Sequence, residues 1–251
     1  ALPNQQIAEM IPYMKRTFGP KMFFAGNNYE WPRGSIDAAK AVLSKVGGKV
    51  VGEEYLPLGV TQDGIDTLLD RVTQSGAQVF VPYFAGADQL LLLTRFAELG
   101  MKRRIVVVMG HYDEIMASQL PQEVRAGHYS CNTYFMTLDT EGNKSYLKRL
   151  ASMPGIQGIW PQGNGILTNF GEGTYVCVKA FAQAVHRAGT LDPESLVEAL
   201  ETLSVVGPQG TVCIDPTTHH ARVNSFLSQC SPVGRFDIIE NFGAIHPVIP
   251  D

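Results

Sequence analysis

Clustered positive charge is scarce in this chain: no basic run exceeds Lys102-Arg103-Arg104, and the formal net charge over 251 residues is −4. A nucleic-acid footprint needs a basic stripe or patch, so direct contact with DNA or RNA is not expected. Long apolar runs are missing as well. Stretches such as Ile105–Met109 are far shorter than the ~20 residues of a membrane-spanning helix. The N-terminus also lacks the charged, apolar, then small pattern of an export signal. The sequence as given therefore reads as neither anchored nor carrying a signal, and a leader removed ahead of Ala1 stays open. The four cysteines, Cys131, Cys177, Cys213 and Cys230, form no CxxC pair. That removes zinc and thioredoxin-type readings and leaves buried free thiols as the expectation. A serine elbow, a phosphate-cradling glycine loop, paired Cys/His, internal repeats and low-complexity segments are also absent.

What remains is 45% hydrophobic and 18% charged, the balance of a globular protein with one large or two small domains. From Gln5 to Gly110 helix and strand patterns alternate. Ile7–Phe18, Ile36–Val46, Ile65–Thr73 and Leu90–Leu99 have helical spacing; Met22–Ala25, Lys49–Leu58, Val79–Phe84 and Ile105–Met109 read as short strands. This rhythm predicts an α/β fold, a parallel sheet with helices on both faces. After Gly110 the rhythm changes. A short helix near Glu114–Gln119 precedes the polar, aromatic segment Gly127–Phe135. Three helical patterns follow without a strand between them, Lys144–Ser152, Gly173–Ala188 and Pro193–Leu203, the last opened by Asp192-Pro193-Glu194. From Gly210 a meander of Thr211–Ile214, Asn224–Gln229 and Phe236–Glu240 suits antiparallel strands added at the sheet's edge.

Ligands of open α/β sheets bind outside the carboxyl ends of the strands. The first strand runs out into Asn27, Asn28, Tyr29, Glu30, Trp31 and Pro32, so Tyr29 and Trp31 either cap the core edge or line a site. Tyr83, Phe84 and Asp88 end the third strand and His111 follows the fourth; aromatic and polar groups on several tips at once favour a small-molecule site. His111 and Asp113 could serve acid–base chemistry, yet no supporting catalytic group accompanies them. His219 and His220 follow Asp215, but adjacent side chains on a strand point apart and make a poor chelate, so loop histidines bonding backbone are expected. Gly163-Asn164-Gly165 lacks GxGxxG spacing and reads as a connecting loop. Glu53 and Glu54 read as a solvated strand edge.

The segments PNQQ, NNYEWPR, GGKVVGEEYLPLG, VPYFAGAD, GHYSCNTYF, GTYVCVKAFAQAVHRAG, LDPESLVEALETL and VGPQGTVCIDPTTHH resemble, in the same order, the type I periplasmic-binding-protein superfamily of Leu/Ile/Val-binding type. The likeness is nearest its urea- and short-chain-amide-binding branch, which includes the cytoplasmic sensor of amidase operons. The resemblance implies two α/β lobes closing on a ligand. PNQQ lies at the first crossover in such proteins, so the chain is expected to lack the first sheet of lobe one, roughly 100 residues. Residues 5–127 and 208–251 then correspond to lobe two and 132–206 to helices of lobe one, with hinges at 128–134 and 205–208.

Carried over by position, the resemblance implies ligand contact by Tyr29, Trp31 and Asn28, and by Tyr83, His111 and Tyr134. Trp31 departs from an expected tyrosine and would reshape the pocket. The implied function is non-enzymatic: an ABC-transporter receptor in the periplasm for an amide, urea or amino acid, with a permease as partner. The alternatives are a cytoplasmic amide sensor or a signalling sensor domain with a regulatory partner, and beyond those an α/β enzyme using His111 and Asp113. No cofactor or metal is implied. Helices lacking their sheet would expose an apolar face, from which a missing partner or a homo-oligomer is expected.

Overall fold

The computed structural model describes residues 1–249. Its order is α1 (Pro3–Phe18), β1 (Lys21–Asn27), α2 (Glu30–Lys45), β2 (Lys49–Leu56), α3 (Gln62–Gln74), β3 (Val79–Tyr83), α4 (Gly86–Glu98), β4 (Val106–Met109), α5 (Glu114–Ser118), α6 (Gln122–Arg125), β5 (Tyr129–Asn132), α7 (Glu141–Ala151), α8 (Asn169–Ala188), α9 (Pro193–Glu201), β6 (Ser204–Gly207), β7 (Gly210–Ile214), β8 (Ala221–Cys230) and β9 (Phe236–Ile245). The strands lie in the order β2-β1-β3-β4-β5-β8-β7-β6, with β9 added to β8. Strands β1 to β5 are parallel. The pairs from β5–β8 onward are antiparallel, as the meander predicted.

Alternation along the strands divides the core into two layers. Met22 and Phe24 face α1 and α2, where Ile7, Met10, Met14, Ile36 and Leu43 are buried. Phe23 and Ala25 face the other side, where α3 and α4 bury Leu68, Leu69, Leu92 and Phe96. The edge strand β2 carries Glu53 and Glu54 as expected. Consecutive residues point to opposite faces, so Lys40 of α2 meets Glu53 at 2.8 Å while Arg71 of α3 meets Glu54 at 2.7 Å.

Three local readings are corrected. The helix read as Ile36–Val46 starts at Glu30, so Trp31 stands on its first turn, not on an extended strand tip. The segment Gly127–Phe135 contains β5, the fifth parallel strand, too polar in Tyr-Ser-Cys-Asn to read as one. Of the four thiols, Cys131 and Cys230 are buried, but Cys213 is partly exposed and Cys177 is exposed on α8.

The helical segment has its own small cores. Val176 and Ala180 of α8 pack with Val205, Val212 and Val223, and Ala184 packs with Leu196 and Ala199 of α9. Asp192 caps α9, accepting from Ser195 N at 3.0 Å ahead of Pro193. The expected exposed apolar residues are present: Phe170, Val178, Phe181 and Leu191 all face solvent.

Candidate functional site

The carboxyl ends of β1, β2 and β3 share one buried polar knot. Asn27 Nδ2 donates to Asp88 Oδ2 at 2.8 Å, and Ala85 N donates to Asn27 Oδ1 at 2.7 Å. Asp88 also accepts from Gly59 N and Val60 N at 3.0 and 3.2 Å. Both side chains are consumed by each other and by backbone, so they frame the site without facing a ligand. Gly26 admits α2 to the same corner. A Cβ there would stand 2.8 Å from the Tyr83 carbonyl oxygen and 2.7 Å from Pro32 Cβ.

That close approach sets Trp31 edge-on to two rings, with centroid distances of 5.6 Å to Tyr83 and 4.8 Å to His111. Tyr29 lies 6.1 Å from Trp31, and Tyr83 stacks on His111 at 6.0 Å. Four of the six residues singled out in the sequence are therefore one aromatic cluster. The other two stand apart from it. Asn28 is exposed and accepts from Arg33 Nε at 2.8 Å. Tyr134 is fully buried in the core, its hydroxyl donating to Asn143 Oδ1 at 2.8 Å.

Beside the cluster opens a cleft of about 470 Å³, lined by Tyr29, Trp31 and His111, by Ala85 and Gly86 at the start of α4, by Asp113, Ile115 and Met116, and by Thr168 and Phe170 at the start of α8. A larger hollow of about 610 Å³ against β9 holds Phe226 but no Tyr, Trp or His, so chemistry rather than size singles out the first. The first turn of α8 was missed in the sequence because the helix was read from Gly173. The sign was there: Thr168 caps the helix, accepting from Gly171 N at 3.0 Å.

The cleft's electrostatics follow from burial. His111 Nε2 lies 2.9 Å from the Phe84 carbonyl; a carbonyl only accepts, so Nε2 carries the proton. Burial pushes the His111 pKa down to about 4, which keeps the ring neutral near pH 7 and leaves Nδ1 without a partner. Asp113 caps α5, its Oδ1 accepting from Met116 N at 3.1 Å, and burial raises its pKa. It is the one acidic side chain on the described lining, which includes no Lys or Arg. The Tyr83 hydroxyl is buried without a partner, and desolvation raises its pKa.

The remaining candidates fall elsewhere. His219, at φ 57°, meets Glu201 through its ring at 2.9 Å and Asp215 through its backbone N–H. No group of three metal-ligating side chains occurs among the described residues. Asn164 ties its loop by bonds to Gly155 O and Gln157 N, as a connecting loop should.

Sheet order and strand-tip cleft together raise the question of kinship, and a periplasmic binding protein domain profile matches residues 1–251. The chain belongs to the periplasmic-binding-protein family, Leu/Ile/Val-binding type. This binding-protein chain is 26% identical over 198 residues to Leu/Ile/Val-binding protein homolog 6 of Brucella melitensis, covering 77% of itself and 48% of that relative. It thus spans about half the length of the curated relative it matches. Among solved structures it superposes on a solute-binding protein of an ABC transporter from Rhodopseudomonas palustris HaA2, in complex with p-hydroxybenzoic acid. That match has a TM-score of 0.81, 22% identity, and covers 96% of this chain and 65% of the other. A leucine-, isoleucine-, valine-, threonine- and alanine-binding protein from Brucella ovis gives a TM-score of 0.79 at 15% identity, covering 98% and 65%. These likenesses establish the binding-protein fold. They do not single out the urea and amide branch. Among the described residues no helix is long and apolar enough to cross a membrane.

Proposed function

We propose that this chain is the solute-binding portion of an ABC-transporter receptor and that the cleft beside Trp31 receives the solute. The observation that carries the reading is the meeting of Tyr29 and His111, which follow strand ends, and Trp31 of the first turn of α2 with Thr168 and Phe170 at the start of α8 around one opening. In this reading residues 5–127 with 208–251 form one lobe, the helices within 132–206 belong to the other, and 128–134 and 205–208 link them. A solute touching both parts favours the closed state through its differential contacts. The working partner is a membrane permease, and the compartment is the periplasm.

The lining favours a compact solute with an apolar or planar body and one polar head. Rings supply the walls, and the first turns of α2, α4 and α8 offer unpaired N–H groups with partial positive charge. An amino acid, a short-chain amide or an aromatic acid fits this description. Urea fits less well, because it would leave most of a cleft of about 470 Å³ empty. The amide reading draws its support from the Tyr29–Trp31 pair; the aromatic-acid reading draws its own from the p-hydroxybenzoic acid bound by the Rhodopseudomonas protein. A catalytic role finds less support, since His111 is held by Phe84 O and Asp113 by Met116 N. The same cleft would serve a cytoplasmic sensor, which differs in partner and not in site.

A thermal-shift and calorimetric screen with 4-hydroxybenzoate, leucine, acetamide, propionamide and urea tests the proposal. At least one solute should stabilise the chain or a version extended upstream, and Trp31→Ala should weaken it roughly tenfold or more. No shift with any of the five in either version would overturn the receptor reading. Unchanged affinity in Trp31→Ala would remove the cleft from it. Turnover of a solute that His111→Ala abolishes would favour an enzyme.

A further inference from the structure

The start of α8, which brings Thr168 and Phe170 to the cleft, rests on little apolar packing. Phe170 is 70% exposed, and the apolar residues that the helix buries are Val176, Ala180 and Ala184. Two side chains of this first turn hydrogen-bond to the rest of the chain. Asn169 bonds Thr133. The other is Glu172, fully buried, whose own N–H donates to Thr168 O at 2.9 Å.

Glu172 reaches the turn between β6 and β7. Its Oε2 accepts from Gln209 Nε2 at 2.8 Å and its Oε1 from Gln209 N at 3.3 Å. The Gln209 amide cannot be reversed: its Oε1 accepts from Asn224 N at 3.1 Å, a group that only donates, so Nε2 must face Glu172. Asn224 Nδ2 donates to Gln209 O at 3.1 Å, and Thr140 Oγ1 to Pro208 O at 2.7 Å, which fixes the turn from β8 and α7. Gly207 permits the close approach. A Cβ there would stand 2.6 Å from Val176 Cγ2 and 3.1 Å from Glu172 Oε1.

Nothing cationic meets the carboxyl. The turn residues Gly207-Pro208-Gln209-Gly210 carry no charge. The segment after β5 brings Tyr134 and α7 brings Tyr146; burial raises the pKa of each phenol, so both are neutral at pH 7. Tyr175 lies against Tyr146, and Lys179 of α8 gives its ammonium to Val206 O. Uncompensated burial raises the Glu172 pKa from 4.5 to about 7.

We propose that Glu172 is the positioning residue for the cleft's second wall: clasped to Gln209, it holds Thr168 and Phe170 in place, and release of the clasp loosens that wall. The inference rests on the reading of the cleft as the solute site. Buried, the carboxyl holds its proton more tightly than in water, so protonation favours the clasped turn and ionisation favours conformations in which Glu172 reaches solvent. A solute touching both walls binds the clasped form. Its affinity is therefore higher near pH 6 and falls as pH rises through about 7.

The test labels the full chain with 5-fluorotryptophan, which reports at Trp31 on the cleft and at Trp160. Fluorine spectra are recorded without solute between pH 6 and 8.5 on the parent, Glu172→Gln and Gln209→Met, and calorimetry with 4-hydroxybenzoate is run at both ends of the range. In the parent the Trp31 resonance should titrate near pH 7, and affinity should fall roughly tenfold. Glu172→Gln, neutral at every pH and still an acceptor for Gln209 Nε2, should show neither change. Gln209→Met should move the Trp31 resonance at pH 6 toward the parent's alkaline position. The proposal is overturned if the parent's resonance stays flat, if Glu172→Gln titrates like the parent, which would put the titration on Asp113, or if Gln209→Met leaves the resonance unmoved. Failure of 4-hydroxybenzoate to bind at either pH counts against the aromatic-acid reading of the cleft, while the solute-free spectra still decide the clasp.

Discussion

Strand β3 is buried at all five of its positions, whereas the 20-residue helix α8 buries only Glu172, Val176, Ala180 and Ala184. The difference is what surrounds them. The strand is covered on both faces by helix layers, each burying large side chains such as Phe80 and Phe24. The helix has one covered face built on small residues and leaves Phe170, Val178 and Phe181 in solvent. Stability in this chain is therefore concentrated in the sheet, and the helical segment that completes the cleft is held by comparatively little apolar area.

The largest effect should come from the sheet. Phe80→Ala, in a core that is already close-packed, should cost about 3–5 kcal/mol in urea unfolding. Next is the strand-tip knot. Asp88→Ala strands Gly59 N, Val60 N and one of the two Asn27 Nδ2 N–H groups together, and about 2–4 kcal/mol should be lost. The comparison fails if either substitution is milder than one in α8.

The pH dependence has two opposing parts. His111 and His128 fall from 6.5 to about 4 and about 3 through burial. Their neutral forms support the fold fully above pH 6.5, and that support is lost as pH falls toward the folded values. Glu114 runs the other way. Buried, and accepting from Met136 N at 2.7 Å, it rises from 4.5 to about 8. Its contribution is complete below pH 4.5 and disappears as pH rises through about 8. Each group approaches a slope of about 1.4 kcal/mol per pH unit inside its window. Denaturation series between pH 4 and 9 should show the alkaline-side decline flattened in Glu114→Gln and the acid-side decline retained.

Smaller effects belong to the helices. Val176→Ala should cost about 1–2 kcal/mol, the transfer of two buried methyl groups and a modest cavity. Phe181→Ser, on the exposed face, should lie within about 0.5 kcal/mol of the parent while reducing any self-association seen by light scattering. A large loss in the folded monomer from Phe181→Ser would mean that this face is covered within the chain, and the contrast between the two regions would collapse.

The parallel sheet was legible because its signals are local: period-two alternation, short β-branched runs and glycine at helix ends each act over a few residues. The aromatic cluster was legible for a related reason, since Tyr83 ends a readable strand, Tyr29 and His111 each follow one, and parallel strands bring their ends together. Tyr134 misled because an aromatic residue in a polar segment looks the same whether it faces a cleft or, as here, a buried Asn143. Thr168 and Phe170 were invisible as site residues. Their approach to Trp31 depends on where the start of α8 is anchored, Asn169 bonding Thr133 just after β5, and no pattern within the helix encodes that.

By itself, the sequence determined the α/β class, the helix-covered parallel sheet, and the tips on which aromatic side chains would gather. Propensity and periodicity act within single elements, and parallel pairing fixes which ends coincide. Only the tertiary structure decided that Trp31 stands on a helical turn edge-on to His111, that Asn27 and Asp88 frame the site rather than face it, and that α8 supplies the opposing wall. Those outcomes rest on close approach at Gly26 and on burial, which set neighbours and protonation between segments far apart in the chain.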